Sequence, residues 1–428
     1  MRHHFNTFVL TRGFFIALLG AAFIYLDFAG FSHPMITTLL GMATLYLLLI
    51  HTDKVWFWTG FFIGIFWFWW ITLSFVHYGF GWAIPIGIVI IALIYAFLFW
   101  SAAWVAQKIP LWFHLPHPFW LSLALKAIGI WSLSWVHPLG FDWFKPELIF
   151  TQSYLGIHKW QFALVLAALV FSIGYKKWIF LLLILLAYQP HKDTPYQIPS
   201  FLQITQTKIP VEEKWDKKFQ GMQFEGIFKL IDNAIDANKT LVILPESVFP
   251  VFLNYTPELF DRLQQKAQKI NIVTGALYWD GEVPHNSTFI FTKDHVQVAN
   301  KVILVPFGES NPLPDFLSRW VNKIFYDGAV DYIASTKISD YQIGEHTYRN
   351  AICFEATSEI LYKNDPKEMI VLSNNGWFTP SIEPTLQKIL LQYYSLKYGT
   401  TIYHSVNMAD AYMIKQGNVT RIGNNDYQ

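Results

Sequence analysis

Apolar residues crowd the first 190 positions in long runs and then give way to short, alternating ones. The long runs fall near residues 14–31, 34–50, 55–76, 82–107, 119–136, 155–173 and 177–189. A helix that crosses the hydrocarbon core needs about 20 apolar residues, within a range of roughly 17 to 25. The first five runs satisfy this. The last two are shorter, and the seventh spans only if the bilayer thins or the helix extends. Residues 1–190 therefore read as a polytopic helical membrane domain of about seven spans. The first run lacks a small-residue cleavage site and is followed at once by another, which predicts a signal anchor rather than a cleaved peptide.

After Pro190 and a polar linker the period changes. Strand-like runs occur at 201–206, 240–245, 270–277, 286–292, 296–304, 348–354, 368–373, 401–406 and 411–415. Amphipathic, helix-length stretches lie at about 216–238, 256–269 and 384–398. Strands alternating with helices predict a layered α/β domain over residues 191–428.

Charge placement refines the membrane reading. With the N-terminus in the cytoplasm, inside segments carry Arg2 and Arg12, then Lys54, Lys108, Lys176 and Lys177. Outside loops carry only Lys145 and Lys159. This bias follows the positive-inside rule, and seven spans then place the second domain outside the cytoplasm. Trp56, Trp58, Trp67, Trp69, Trp70, Trp82, Trp100 and Trp104 lie near span ends, the place of an interfacial aromatic belt. Lys126 falls inside the fifth span, where a charge is costly; a functional role and snorkelling to an interface both account for it.

The chain is 53% hydrophobic and only 14% charged, too greasy for an ordinary soluble enzyme and too mixed for a pure membrane bundle. A net charge of +1 with no basic stripe excludes nucleic acid as a partner. One cysteine permits no internal disulfide.

That cysteine, Cys353, sits at the end of the strand-like run from Tyr348. Glu246 ends another run, and Lys301 opens a third that closes at Glu309. A carboxylate, an amine and a thiol at strand ends are the parts of an activated-thiol acyl-transfer site. Glu246 would act as general base, and Lys301 would stabilise the thiolate and then an oxyanion, with a backbone N–H near Phe354. Glu309 and Glu355 would orient the lysine and hold it protonated. Each residue taken singly has a plainer reading. A lone strand cysteine is usually a small buried hydrophobe, a Glu after Pro a solvated loop residue, and a Lys before an apolar run a surface one.

Taken in order, Leu244-Pro-Glu-Ser247, Asn300-Lys301 with Val305-Pro-Phe-Gly-Glu309, Ile352-Cys-Phe-Glu355 and Ser373-Asn-Asn-Gly-Trp-Phe378 resemble the nitrilase superfamily. They are similar in particular to its membrane branch, the apolipoprotein N-acyltransferases. Ile204-Thr-Gln-Thr with Glu213-Lys-Trp215 looks like the start of that family's catalytic domain. Gly60 to Gly87 and the loop Gly140 to Phe150 look like its membrane half.

The resemblance implies an αββα sandwich carrying a Glu246–Lys301–Cys353 triad, supported by Glu309, Glu355 and Phe354, on the periplasmic side of a bacterial inner membrane. Cys353 would take a fatty acyl chain from a phospholipid as a thioester. The amine of a lipoprotein's diacylglyceryl-cysteine would then accept it. No metal or cofactor is implied. The alternative is a membrane-anchored amidase or nitrilase-type hydrolase, with water as acceptor; a further one is a transporter or lipid-binding scaffold with an inert domain. Trp215, Pro312, Trp320, Phe325 and Trp377 are candidate substrate or lid residues, the stretch Pro312 to Gly328 reading either as a buried helix or as a membrane-dipping lid. Three features depart from the family pattern. The chain ends at Gln428 without the C-terminal span of many members, Phe354 replaces a commoner tyrosine, and Gly399 to Asn407 lacks the usual arginines.

Overall fold

A computed structural model describes residues 7–190, 196–306, 308–309 and 332–422. The chain separates into two compact units, Met1–Lys192 and Asp193–Gln428.

The first unit is helical. Its helices are α1 (Thr7–Phe28), α2 (Pro34–Ile50), α3 (Asp53–Phe68), α4 (Ser74–His77), α5 (Ile84–Trp112), α6 (Pro118–Ser132) and α7 (Lys159–Tyr175). Among the described residues, three segments are long and apolar enough to cross a bilayer: Thr7–Phe28, Asp53–His77 and Gly81–Trp112. The runs expected to form the second and sixth spans are the 17-residue helices α2 and α7. The seventh is a ten-residue 3₁₀ segment, Trp178–Ala187, about 20 Å long at that helix type's rise. The fifth run, expected to be long enough to span, is the 15-residue helix α6. The expected count of about seven spans is therefore not confirmed: among the described residues three segments are long enough, with shorter apolar helices beside them.

Close packing explains much of this unit's sequence. A Cβ at Gly60 would lie 2.3 Å from the Tyr95 carbonyl oxygen, so only glycine lets α3 approach α5 this closely. The tryptophans of α3 and the turn after it correct the belt reading. Trp56, Trp58, Trp67 and Trp70 are buried, whereas Trp82 is 69% exposed. Trp56 donates its indole N–H to the Leu48 carbonyl at 2.7 Å, and Trp70 donates to that of Trp67 at 2.8 Å. Buried indoles usually find such partners, the Trp67 N–H being an exception.

Lys126 is held by backbone carbonyls. Its ammonium donates to the carbonyls of Leu49 (3.1 Å) and His51 (2.6 Å), at the C-terminal end of α2. A cation there meets orphan carbonyls and the negative end of the helix dipole. Its role is to cap that helix. Lys159 pairs with fully buried Glu147 at 2.8 Å, and Lys145 donates to the Asp142 carbonyl at 2.9 Å. The two lysines that run against the loop-charge bias are therefore engaged inside the unit.

The second unit holds two sheets and two helical layers. Its strands are β1 (Leu202–Ile204), β2 (Gln206–Thr207), β3 (Leu241–Ile243), β4 (Phe249–Phe252), β5 (Asn271–Trp279), β6 (Pro284–Phe291) and β7 (Val296–Asn300). They continue with β8 (Asp340–Ile343), β9 (His346–Ile352), β10 (Glu368–Asn374), β11 (Thr401–Asn407), β12 (Tyr412–Lys415) and β13 (Asn418–Arg421). Among the described residues, one sheet runs β1-β3-β5-β6-β7 with β4 beside β5, and the other β13-β12-β11-β10-β9-β8 with β2 beside β11. The pairs β1/β3, β3/β5, β9/β10 and β10/β11 are parallel.

Side-chain alternation builds the layers. In β3, Leu241 and Ile243 turn inward to meet Ile370, Leu372 and Tyr403 of the other sheet. Val242 turns outward under α9 (Lys217–Asp236) and α10 (Pro257–Ala267), against Ile231 and Leu263. Helix α11 (Glu383–Tyr398), with Leu386, Ile389 and Leu390 buried, covers the second sheet. The order is helix, sheet, sheet, helix. A short helix, α8 (Val211–Lys214), precedes α9. The sequence pattern omits α8, β2, β4, β8 and β13, all of four residues or fewer.

Candidate functional site

Three strand ends converge. Glu246 lies three residues beyond β3, Lys301 directly follows β7, and Cys353 directly follows β9. Loops beyond the carboxyl ends of parallel strands are where open α/β sheets place their sites. Glu246 and Lys301 are 7% and 1% exposed, and Cys353 is partly buried.

Lys301 sits between two carboxylates. Its Nζ is 2.7 Å from Glu309 Oε2 and 3.9 Å from Glu246 Oε1. Asn286, at the start of β6, ties those carboxylates together through its Nδ2, which donates to Glu246 Oε1 (2.8 Å) and Glu309 Oε1 (2.9 Å). Glu309 Oε2 also accepts the Val305 N–H at 2.9 Å. Burial alone would lower the amine's pKa, but Glu309, Glu246 and Cys353 outweigh it and raise the net value, so Lys301 is an ammonium. Burial pushes Glu246 up, Lys301 pulls it down and Glu309 pushes it up again; it stays above the ordinary carboxylate range.

Cys353 has φ +54°, a left-handed conformation that costs a non-glycine residue about 1–2 kcal/mol. The strained residue marks the turn from β9 into the 3₁₀ segment Cys353–Thr357 and lifts the thiol out of the strand. Burial raises its pKa, Glu246 raises it further, Lys301 lowers it, Glu383 raises it, and the Asn374 backbone N–H bonded to it lowers it. The net direction is up, so the sulfur rests as a thiol.

Glu355 is wholly engaged. Its carboxylate accepts from the N–H groups of Ile352 (2.8 Å), Val302 (2.7 Å) and Ile303 (3.1 Å), and so binds the turn of the thiol to the segment that carries the amine. Burial lifts it to about 7, against the pull of Lys301 and these donors. Phe354 is 4% exposed and packs inside.

Gly275 has a structural reason to be glycine. A Cβ there would lie 2.4 Å from the Ser247 nitrogen and 2.6 Å from Glu246 Cα, so β5 must be bare where the Glu246 turn crosses it.

Three residues of this site were given no role from the sequence. Asn286 is one; its signal was a polar run, His285-Asn286-Ser287-Thr288, in a strand buried along its whole length. Lys214, 1% exposed, donates to the Glu246 carbonyl at 2.8 Å, and burial lowers it to about 8 although Glu246 and Cys353 pull it up. It lay unassigned within Glu213-Lys-Trp215. Glu383, at the start of α11, is the third, and no local signal marked it. Of the substrate candidates, Trp215 is 37% exposed, and Phe219 and Met222, four and seven residues further on, are exposed too, while Trp377 is partly buried in the turn after β10. Pro312, Trp320 and Phe325 lie outside the described residues.

Fold and site together define a class: an integral membrane protein with a two-sheet α/β domain that gathers a thiol, an amine and carboxylates at its strand ends. Comparison with known proteins places it more narrowly. The family described as "Apolipoprotein N-acyltransferase integral membrane domain" matches residues 7–190. An apolipoprotein N-acyltransferase of Wolinella succinogenes is 39% identical over 405 residues, covering 94% of each chain. One of Helicobacter pylori is 35% identical over 363 residues, covering 83% of this chain and 82% of its own. The chain belongs to the apolipoprotein N-acyltransferase family. A CN-hydrolase superfamily protein from Xanthomonas campestris aligns with 52% of this chain and 85% of its own, at TM-score 0.40 and 14% identity.

Proposed function

We propose that the chain moves a fatty acyl group from a membrane phospholipid to the N-terminal amine of a lipoprotein's diacylglyceryl-cysteine, through a thioester on Cys353. The observation that carries this reading is the buried ammonium of Lys301, held 2.7 Å from Glu309 and 3.9 Å from Glu246 within electrostatic reach of the thiol. In the first half-reaction Glu246 takes the thiol proton as the sulfur attacks the ester carbonyl. A base whose pKa burial has raised suits that task. Lys301 and a backbone N–H stabilise the oxyanion. The C–O bond breaks, and the lysophospholipid alkoxide leaves with the proton held by Glu246. In the second half-reaction the amine attacks the thioester, the C–S bond breaks, and the thiol is regenerated. Two half-reactions sharing one covalent intermediate give ping-pong kinetics.

Glu309 and Glu355 position Lys301 and the turn of Cys353. Exposed Trp215, Phe219 and Met222 offer an apolar surface for acyl chains. For the membrane unit, the loop charges support an arrangement in which the shorter apolar helices also enter the bilayer. The α/β unit then faces the periplasm from a bacterial inner membrane.

Mass spectrometry of purified protein incubated with phospholipid, without acceptor, tests the reading. Wild type should gain one acyl group at Cys353, and Cys353→Ser should yield no thioester. If the wild-type adduct is absent, the acyl-transfer reading fails. If it forms but discharges as fast to water as to a diacylated lipopeptide, the hydrolase alternative replaces it.

A further inference from the structure

Glu383 is 2% exposed and opens helix α11, where its own N–H donates to the Ser381 hydroxyl at 3.0 Å. Its Oε2 is buried and has no hydrogen-bond partner. One turn along, Gln387 Oε1 accepts from Asn375 Nδ2 at 3.2 Å, while Gln387 Nε2 and Asn375 Oδ1 are also unpartnered. Buried polar atoms are normally satisfied, and leaving one unpaired costs about 1–3 kcal/mol. Glu383 and Gln387 lie one turn apart on α11, the helix that packs on the turn bearing Cys353, and Gln387 is bonded to Asn375. The charge of Glu383 acts on both Cys353 and Glu246. Unused hydrogen-bonding capacity beside a nucleophile is what a polar substrate group would fill.

We propose that Glu383, backed by Asn375 and Gln387, receives the acceptor's amino group and takes its proton in the second half-reaction. This rests on the acyl-transfer reading above and assigns the acceptor's place within it. An α-ammonium cannot attack a thioester until it loses a proton, and its own pKa is about 7.7–8.0. Burial, then the charge of Glu246, lift the Glu383 carboxyl to about 8. Donor and acceptor are matched, the condition under which general-base transfer is most efficient.

The groups whose charge reaches Glu383 are Glu246 and Cys353, both anionic when ionised. Lys214 and Lys301 act on that pair. Glu355, on the same turn as Cys353, is spent on three backbone N–H groups. At rest Glu383 is therefore mostly neutral and adds no third negative charge beside the thiol as the phospholipid is attacked. The arriving ammonium favours its ionised form, and the resting proton of Glu383 is released to solvent as the ammonium binds. The carboxylate then takes one proton from nitrogen, the C–N bond forms and the C–S bond breaks. The second nitrogen proton passes through Glu246 to the departing thiolate.

The test separates the half-reactions with full-length protein, phosphatidylethanolamine micelles as donor and a synthetic diacylglyceryl-cysteine dipeptide as acceptor. The burst of lysophospholipid measures acylation and folded protein together; discharge of preformed acyl-enzyme measures transfer. Glu383→Gln should slow transfer about 10²-fold at pH 7, in the range of a lost general base, with acylation reduced at least ten times less. The deficit should shrink toward pH 9.5, where the free amine needs no base. Hydroxylamine, largely neutral at pH 7, should discharge both proteins equally fast. Equal losses in both half-reactions, a pH-independent deficit, or unaltered transfer would each overturn the assignment. Absence of any burst in wild type would instead overturn the acyl-transfer reading beneath it.

Discussion

The two units bury charge by opposite rules. In the helical unit, each buried ion described above has a partner that neutralises or caps it: Lys126 with two helix-end carbonyls, Glu147 with Lys159 and Ser134. Its outer surface is left to apolar side chains such as Phe15, Leu39, Ile90 and Phe97. The α/β unit does the reverse at one corner, where Glu246, Glu309, Glu355 and Glu383 outnumber Lys214 and Lys301 under cover. That excess cannot all ionise, so protons are retained: Glu355 is lifted to about 7 and Glu383 to about 8 by burial. Balanced burial fastens structure; unbalanced burial stores protons that chemistry can use.

Unbalancing the site further should give the largest effect. Lys301→Met leaves buried Glu246 and partly buried Glu309 without their cation, and breaking a buried pair from one side costs about 3–5 kcal/mol. Turnover should fall by about 10³-fold or more, and thermal unfolding should move down with it. A Lys301→Met protein with wild-type acylation rate would remove the lysine from the mechanism. Next in size is a purely geometric insult. Gly275→Ala drives a methyl group into the Ser247 nitrogen and Glu246 Cα, shifting the proposed base without touching any charge. Displacements of about 1 Å cost up to 10²-fold. The acyl-enzyme burst rate should drop by about 10- to 100-fold, and an unchanged rate would show that the position of Glu246 is not critical.

Legibility followed the same division. The layered pattern of strands and the positions of Glu246, Lys301 and Cys353 could be read from the chain because strand period and strand-end polarity are local properties. Contacts between segments distant in sequence were not readable. Asn286 joins Glu246 to Glu309 from 40 and 23 residues away, and Glu383 reaches Cys353 only through the packing of α11. In the helical unit hydropathy located the apolar runs but not their depth. Trp56 and Trp67 look interfacial by position and are buried in fact, Trp56 beside Phe99 of α5 and Trp67 against Phe23 of α1 and Phe144. Short elements such as β8 and β13 carry too few residues for a period to register.

A balanced ion should matter to stability alone. Lys126→Met strands the Leu49 and His51 carbonyls at the end of α2 and should cost about 1–3 kcal/mol, read as lower thermal stability in detergent. Acyl-enzyme formation per folded molecule should match wild type. A selective loss of acylation would restore the functional reading of this lysine.

The smallest expected effect is also the most direct reading of stored protons. A carboxyl raised from 4.5 to about 8 holds its proton in the folded chain at pH values where the unfolded chain has lost it. Between those limits the native state binds more protons, so stability falls as pH rises and levels off above about 8. Glutamine does not titrate. Glu383→Gln and wild type should therefore melt together at pH 5, while at pH 9 the variant should melt higher, by about 2–4 °C for each kcal/mol recovered in a unit of this size. Glu355 shifts in the same direction but is present in both proteins and drops out of the difference. Parallel melting curves across this range would show that Glu383 ionises as freely as a surface carboxylate, and the contrast between the two units would lose its sharpest member.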